Sequence, residues 1–289
     1  MSKRTKIALL SLPALLCFAL IGLSACSHTH SYEVSATTAA TCTEEGMTAY
    51  TCTGCGESYS ETLPALGHDY VGGACARCGL AEIPEGYSVG LDYELLPSGT
   101  YALVGIGNFA GEALVLSPSY RGVAVTAIAE GALSGSAIVS AVLPDSVGEI
   151  GKNAFSGCAS LSSVTLPKSL TNLGESAFAN CSALEAIALP ETLTSLGEGA
   201  FRFAALRELS LPQGVQDIPA ELVAWSKLER IFVPASVAKM GANAFEGCGG
   251  TLQNVYFAGT EAMWKDIEGL YMSGLFSSVT VHFEADALP

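Results

Sequence analysis

Positive charge is what this chain has least of. Thirteen Lys and Arg residues stand against 28 Asp and Glu, charged residues make up 14% of the whole, and the net charge is −15. An acidic body with no basic stripe excludes phosphate-tracking contact with nucleic acid and electrostatic docking on anionic lipid. Groups that usually carry catalysis are equally scarce. Four histidines occur in 289 residues, and beyond His68 only His282 remains. There is no G-x-S-x-G and no H-E-x-x-H, which removes two common hydrolase signatures. Gly105-Ile106-Gly107-Asn108-Phe109-Ala110-Gly111 is one residue too long for a dinucleotide loop, and strand-like Ala113–Leu116 follows where a helix would have to open. Glu149, Glu175 and Glu198 recur near turns, as a solvated edge rather than two carboxylates facing one cleft. No residue is a candidate for catalysis, so the chain is not read as an enzyme and no small-molecule substrate is expected.

What is present is a sentence written several times. Val147–Pro167 reads VGEIGKNAFSGCASLSSVTLP, Leu170–Pro190 reads LTNLGESAFANCSALEAIALP, and Leu193–Pro212 reads LTSLGEGAFRFAALRELSLP. Weaker copies run over Val215–Pro234 and Val237–Ala258, and a degenerate one over Thr126–Pro144. The closing prolines at 144, 167, 190, 212 and 234 give a period of 22 or 23 residues. A unit this short cannot enclose a core, so the copies must stack into a solenoid. Apolar spacings of three and four between Ile150 and Leu161 predict a short helical or 3₁₀ arc, and the alternation around Val164 and Leu166 predicts a strand ended by Pro167. Stacking places Phe155, Phe178, Phe201 and Phe245 in one buried column, with Val223 standing in for the fourth copy. Each buried Phe is worth about 1.5–3 kcal/mol, enough to hold such a stack without other staples.

The pattern resembles the BspA-type leucine-rich repeat, I-G-x-x-A-F-x-x-C-x-x-L-x-x-[VI]-x-L-P. Ile150-Gly151, Ala154-Phe155, Cys158, Leu161 and Leu166-Pro167 fit it at every marked position. The resemblance runs from about Tyr87 to the C-terminus. It implies an α/β leucine-rich-repeat solenoid of about six coils over residues 126–258, a β-rich entry cap over 82–125 and an exit cap over 259–289. Tyr101–Ile106 and Ala113–Leu116 are expected to pair as a hairpin in the entry cap, and Trp264 to plug the core of the exit cap. Ala204 and Ser226 replace the column cysteine in two copies, so Cys158, Cys181 and Cys248 read as small apolar fillers, a Cys158–Cys181 disulfide being the alternative.

The first 26 residues read as a targeting segment. Lys3, Arg4 and Lys6 precede an apolar run from Ile7 to Leu23, and Leu23-Ser24-Ala25-Cys26 is similar to a bacterial lipobox, which implies lipidation of Cys26 and a body working outside the cytoplasmic membrane. An uncleaved membrane anchor is the alternative; Pro13 and the placement of Cys26 favour lipidation. Residues 27–81 are different again. Cys52-Thr53-Gly54-Cys55-Gly56 and Cys75-Ala76-Arg77-Cys78-Gly79 have the form of zinc knuckles, and His30-Ser31-Tyr32 is echoed by His68-Asp69-Tyr70. The segment resembles small Cys/His modules of secreted bacterial surface proteins. Three ligand readings stand. One is a structural zinc held by His30, Cys42, Cys52 and Cys55, with His68, Cys75 and Cys78, and His28 as a possible fourth ligand, making a second site. Another is a single zinc-ribbon-like site of the four knuckle cysteines. The third is disulfides, which an extracytoplasmic address favours but which leave the repeated His-x-Tyr without a role.

Outward strand positions form two columns. Ser140, Ser163, Ala186, Glu208, Arg230 and Asn254 make one, and Val142, Thr165, Ala188, Ser210, Phe232 and Tyr256 the other. Arg230, Phe232, Asn254 and Tyr256 are residue types enriched at binding hot spots and are the candidates for partner contact, unless the exit cap folds over them. Resemblance and architecture together imply a cell-surface lipoprotein that binds or adheres to an extracellular protein or glycan. A wall-associated spacer attached through the Cys/His module is the second reading.

Overall fold

The computed structural model describes residues 29–41, 45–64, 70–71, 74–75, 86–275 and 278–289. The chain divides into two compact units, one built from residues up to Asp69 together with Ala76–Cys78, the other from Tyr70–Cys75 and Gly79–Pro289. The leader with Cys26, and Cys42, His68 and Cys78, lie outside the described residues.

In the first unit Tyr32–Thr38, Gly46–Cys52 and Ser58–Leu63 form an antiparallel meander. Aromatic side chains run across it. His30 stacks on Tyr32 at 5.6 Å, Tyr32 meets Tyr59 edge-on at 4.9 Å, and Tyr50 stacks on Tyr59 at 4.9 Å. Such cross-strand aromatic pairs fix register where little core is available.

The second unit is a β-solenoid of about eight turns, a leucine-rich-repeat solenoid with almost no helix. Two parallel ladders run along it. The first takes Tyr101–Gly105, Val123–Ile128, Glu149–Ile150, Asn172–Leu173 and Ser195–Leu196 in order, and continues in the pair Asp217–Ile218 and Lys239–Met240. The second joins Ala113–Val115, Ser140–Val142 and Ser163–Thr165, then resumes as Glu208–Ser210, Arg230–Val233, Asn254–Phe257 and Thr280–His282. Tyr101–Gly105 and Ala113–Val115 therefore do not pair as a hairpin. They are the first rungs of separate ladders, and Asp92–Leu95, antiparallel to Tyr101–Gly105, caps the open edge. The turns beyond six come from segments read as caps, because a rung there meets the same parallel edge as any other.

The arc between ladders is not a helix. Each arc has two left-handed backbone positions four residues apart: Asn153 and Gly157, Ser176 and Asn180, Gly199 and Phe203, Glu221 and Trp225, Asn243 and Gly247. A right-handed helix cannot pass through such positions. The arc's amides are satisfied instead by alternation. In the Val147 copy, Asn153, Phe155 and Gly157 donate to Glu175, Ala177 and Ala179 of the next coil, each at 2.8 Å, while Ala154, Ser156 and Cys158 donate back within their own turn. The spacing that suggested a helical face is thus a run of linked turns, forming a third line of hydrogen bonds between coils.

Inside, Phe155 stacks on Phe178 at 4.9 Å and Phe178 on Phe201 at 5.9 Å, and these rings, Val223 and Phe245 are fully buried. Neighbouring coils approach closely at the glycine of each Ile/Leu-Gly pair. A Cβ on Gly174 would lie 2.5 Å from the Gly151 carbonyl carbon, and one on Gly197 2.3 Å from that of Gly174. The requirement is space, since neither glycine has a positive φ. Phe178→Ala is expected to cost about 3–5 kcal/mol by leaving a cavity between two rings. Gly174→Ala should cost about 1–3 kcal/mol by forcing two coils apart. Denaturant unfolding of each variant checks both; a Phe178→Ala chain as stable as the parent would show that the column does not hold the stack.

Candidate functional site

Three places carry chemistry beyond the requirements of a core. The first is the knuckle in the amino-terminal unit. Tyr32 pairs with Cys52, and the Thr53 amide donates to Ser31 O at 3.0 Å, which brings the chain just before the first strand over the end of the second. The loop closes with Gly56 N–H donating to Cys52 O at 2.9 Å, and Gly56 is left-handed at φ 76°. His30, Cys52 and Cys55 then offer ligand atoms that all lie within 4.8 Å of one another. His30 Nδ1 is 3.5 Å from Cys55 Sγ. Zn–S and Zn–N bonds of ~2.3 and ~2.05 Å at a tetrahedral angle require about 3.6 Å between such atoms. His30 Nε2 faces Glu57 Oε2 at 3.6 Å, the place of a carboxylate that orients a metal-bound imidazole. Cys52 is buried and Cys55 exposed. The donor set therefore fits a zinc ion. Of the other expected ligands, Cys75 lies in the two-stranded pair with Tyr70–Val71, and Cys42, His68 and Cys78 are outside the described residues.

The second place is the ladder end that carries the four predicted contact residues. Register places them as expected, Arg230 opposite Asn254 and Phe232 opposite Tyr256. Their surroundings differ from an open face. Phe232 is buried, and it lines a 690 Å³ groove with Asp286, Ala287 and Leu288 of the C-terminal segment. Tyr256 is half-buried and stacks on His282 at 4.6 Å. Asn254 Oδ1 sits 2.9 Å from His282 Nε2. Arg230 is ion-paired with Glu208, whose hydrogen bond holds the guanidinium pKa above its ordinary value. The last rung, Thr280–His282, does the covering of Asn254 and Tyr256 by adding to an open parallel edge.

The third place was not legible as a site from the sequence. Down the second left-handed position of each arc the residues run Gly135, Gly157, Asn180, Phe203, Trp225 and Gly247. Two bulky aromatics occupy a conformation that favours Gly and Asn. Phe203 and Trp225 are 45% and 56% exposed and stack at 6.4 Å with 18° between planes. Arg202 lies over the Phe203 ring at 5.6 Å and pairs with Glu221 at 2.7 Å. The signal was available as a column: an arc position filled by Gly or Asn that turns to Phe and Trp in two consecutive copies.

The column cysteines have a role beyond filling space. Cys158 Sγ donates to Leu133 O at 3.0 Å, Cys181 Sγ to Phe155 O at 3.2 Å, and Cys248 Sγ to Val223 O at 3.3 Å. Each thiol reaches back to a carbonyl of the preceding coil, and none of the three is in a disulfide. Burial pushes the Cys181 thiol up to about 12 and raises Cys158 and Cys248 as well.

The solenoid has counterparts among known proteins. Residues 126–251 match the family described as the BspA type leucine-rich repeat region, in six copies. The Treponema pallidum leucine-rich-repeat protein is 28% identical, with a TM-score of 0.55, over 61% of this chain and 85% of that one. A leucine-rich cell surface protein of Faecalibacterium prausnitzii is 24% identical, with a TM-score of 0.43, over 68% of this chain and 42% of its own. A leucine-rich-repeat protein of Bacteroides capillosus is 28% identical, with a TM-score of 0.38, over 43% and 91%. No curated protein matches the chain.

Raised thiol pKa values have a consequence with a definite sign. The native state keeps these protons where the unfolded chain releases them, so their stabilisation is complete below pH 9, the ordinary thiol value, and is lost as pH rises through each raised native value, about 12 for Cys181. Denaturant unfolding at about pH 8 and about pH 10.5 should show lower stability at the higher pH. Cys181→Ala should flatten that slope. The three thiols should also resist a disulfide reagent until the chain is unfolded.

Proposed function

We propose that this chain is a non-catalytic lipoprotein of the bacterial cell surface whose solenoid binds an extracellular partner, while the amino-terminal unit is a structural zinc module. The observation that carries the reading is how the solenoid disposes of its side chains. Each coil's inward residues are consumed in one continuous core. What remains for function is an extended surface that varies from coil to coil, the usual working part of a stacked repeat. The similarity to bacterial leucine-rich-repeat proteins supports a binding role. The sequence of the leader supports lipidation at Cys26, with the body outside the membrane. Among the described residues no helix is long and apolar enough to cross a membrane.

The His30, Cys52 and Cys55 geometry supports the first of the ligand readings, with Cys42 as the fourth ligand closing the tetrahedron. A closed site leaves no position for substrate, so the metal's contribution is to hold a unit with little core of its own. The spacer reading assigns no role to the exposed aromatic pair on the arcs and is placed second for that reason.

Two measurements test this. The intact chain should partition with the membrane fraction and be cut by protease added to whole cells, and Cys26→Ser should move it to the soluble fraction. A chain that protease cannot reach on intact cells would defeat the surface assignment. Purified protein should hold zinc stoichiometrically and lose it in Cys52→Ser, with chelation unfolding the meander while the solenoid's thermal transition stays in place. Protein without zinc would remove the metal reading.

A further inference from the structure

The aromatic pair on the arcs is built in a way that the fold does not require. The fold's own solution at this backbone position is Gly135, Gly157, Asn180 and Gly247. Placing Phe203 at φ 58° and Trp225 at φ 60° holds bulky side chains in a region they disfavour, and such outliers persist where they serve a site. Burial does not explain them, because both rings are exposed.

Around the rings lies a 180 Å³ depression lined by Arg202, Phe203, Glu221, Ala224, Trp225, Asn243 and Glu246. Trp225 is laid flat over Gly247: a Cβ there would come within 2.5 Å of the indole, so a side chain on the next coil would push the ring away. The polar rim is part-committed. Arg202 Nη1 is held by Glu221 and its Nε–H is buried, which leaves the outer part of a half-exposed guanidinium, and Glu246 pairs with no cation among the described residues. The rim therefore presents a guanidinium edge, a carboxamide and a carboxylate, all planar groups able to hold two adjacent hydroxyls at once.

Size decides between classes of ligand. Together the two rings expose roughly 200 Å² of apolar surface, given the 150–250 Å² an aromatic side chain offers. Stable protein interfaces need about 800 Å² per partner around a buried apolar core. Tyr271 and Met272, on the turn that receives the amides of Asn243 and Phe245, are also exposed but do not line this depression. The patch is too small for a protein footprint and matches one six-membered ring with an apolar C–H face and polar edges. Charge narrows it further: Glu221, Glu246 and a net charge of −15 disfavour an anionic sugar.

We infer that Phe203 and Trp225 form a stacking platform for a ring of a neutral glycan, with Arg202, Asn243 and Glu246 addressing its hydroxyls. This inference rests on the binding reading of the solenoid and names one ligand class for it.

The test uses the full chain with maltotriose, cellotriose and chitotriose. The chain has two tryptophans, and Trp264 is buried, so Trp225 dominates any ligand-induced change in emission or quencher access. One of the three sugars should give saturable binding by calorimetry and protect Trp225 from a soluble quencher. Trp225→Asn and Phe203→Asn restore a residue that the fold accepts at this position in Asn180. They should melt at or above the parent temperature while weakening sugar binding at least tenfold. Glu246→Gln should weaken it less, with no change in melting. Absence of binding to all three sugars by the parent chain, or unchanged binding in Trp225→Asn, would overturn the platform. A Trp225→Asn chain that still adheres to the surface the parent adheres to would in that event leave the solenoid's binding role standing without this site.

Discussion

From Gly131 to Phe245 each coil donates backbone hydrogen bonds forward from its arc, and the spacing those bonds impose governs the rest. Because Asn153, Phe155 and Gly157 donate to the following coil, and their counterparts do the same, the coils are held at one separation along three lines. The stacked phenylalanines fill the interior at that separation, the Ile/Leu-Gly glycines permit it where backbones crowd, and the column thiols find a carbonyl of the preceding coil within reach. A single coil has none of these partners. Stability is therefore a property of neighbours, and a cavity or a wedge between two coils is felt by both.

The same spacing explains how the surface is decorated. Cross-coil ion pairs such as Lys152 with Glu175, Arg202 with Glu221 and Arg207 with Glu229 join residues on adjacent turns, where a fixed rise brings equivalent positions together. Lys152–Glu175 and Arg207–Glu229 are exposed and contribute little to stability individually, and Arg202–Glu221 is partly buried. They also leave few unpaired cations on a chain already poor in them. Against that polar background the Phe203–Trp225 pair stands out chemically, because a left-handed backbone position points its side chain away from the core and no neighbouring rung can cover it.

Much of the architecture was legible in the residues. The recurrence of I-G-x-x-A-F-x-x-C carries the solenoid, the buried phenylalanine column and the outward register of Arg230 and Phe232, because each depends on a repeat that can be read along one line. The helical arc was misread for a physical reason: apolar spacing of three and four suits linked turns as well as a helix, and only the backbone signs at Asn153 and Gly157 distinguish them. The cap hairpin was misread because strand propensity does not reveal a partner. Tyr101–Gly105 had an antiparallel and a parallel edge available and uses both. At the candidate sites, the knuckle motif gathered two of its ligands in plain view, whereas the approach of His30 depends on strand pairing between Tyr32 and Cys52.

The sequence alone determined the period, the identity of the buried column and the shortage of cations, since these follow from residue type and repetition. Tertiary structure decided which surfaces are open. Phe232 is buried on its ladder, the terminal strand stacks His282 on Tyr256, and the left-handed arc turns Phe203 and Trp225 outward. Exposure depends on what lies against a residue in space, and a repeat copied along the chain does not encode what its last rung will cover.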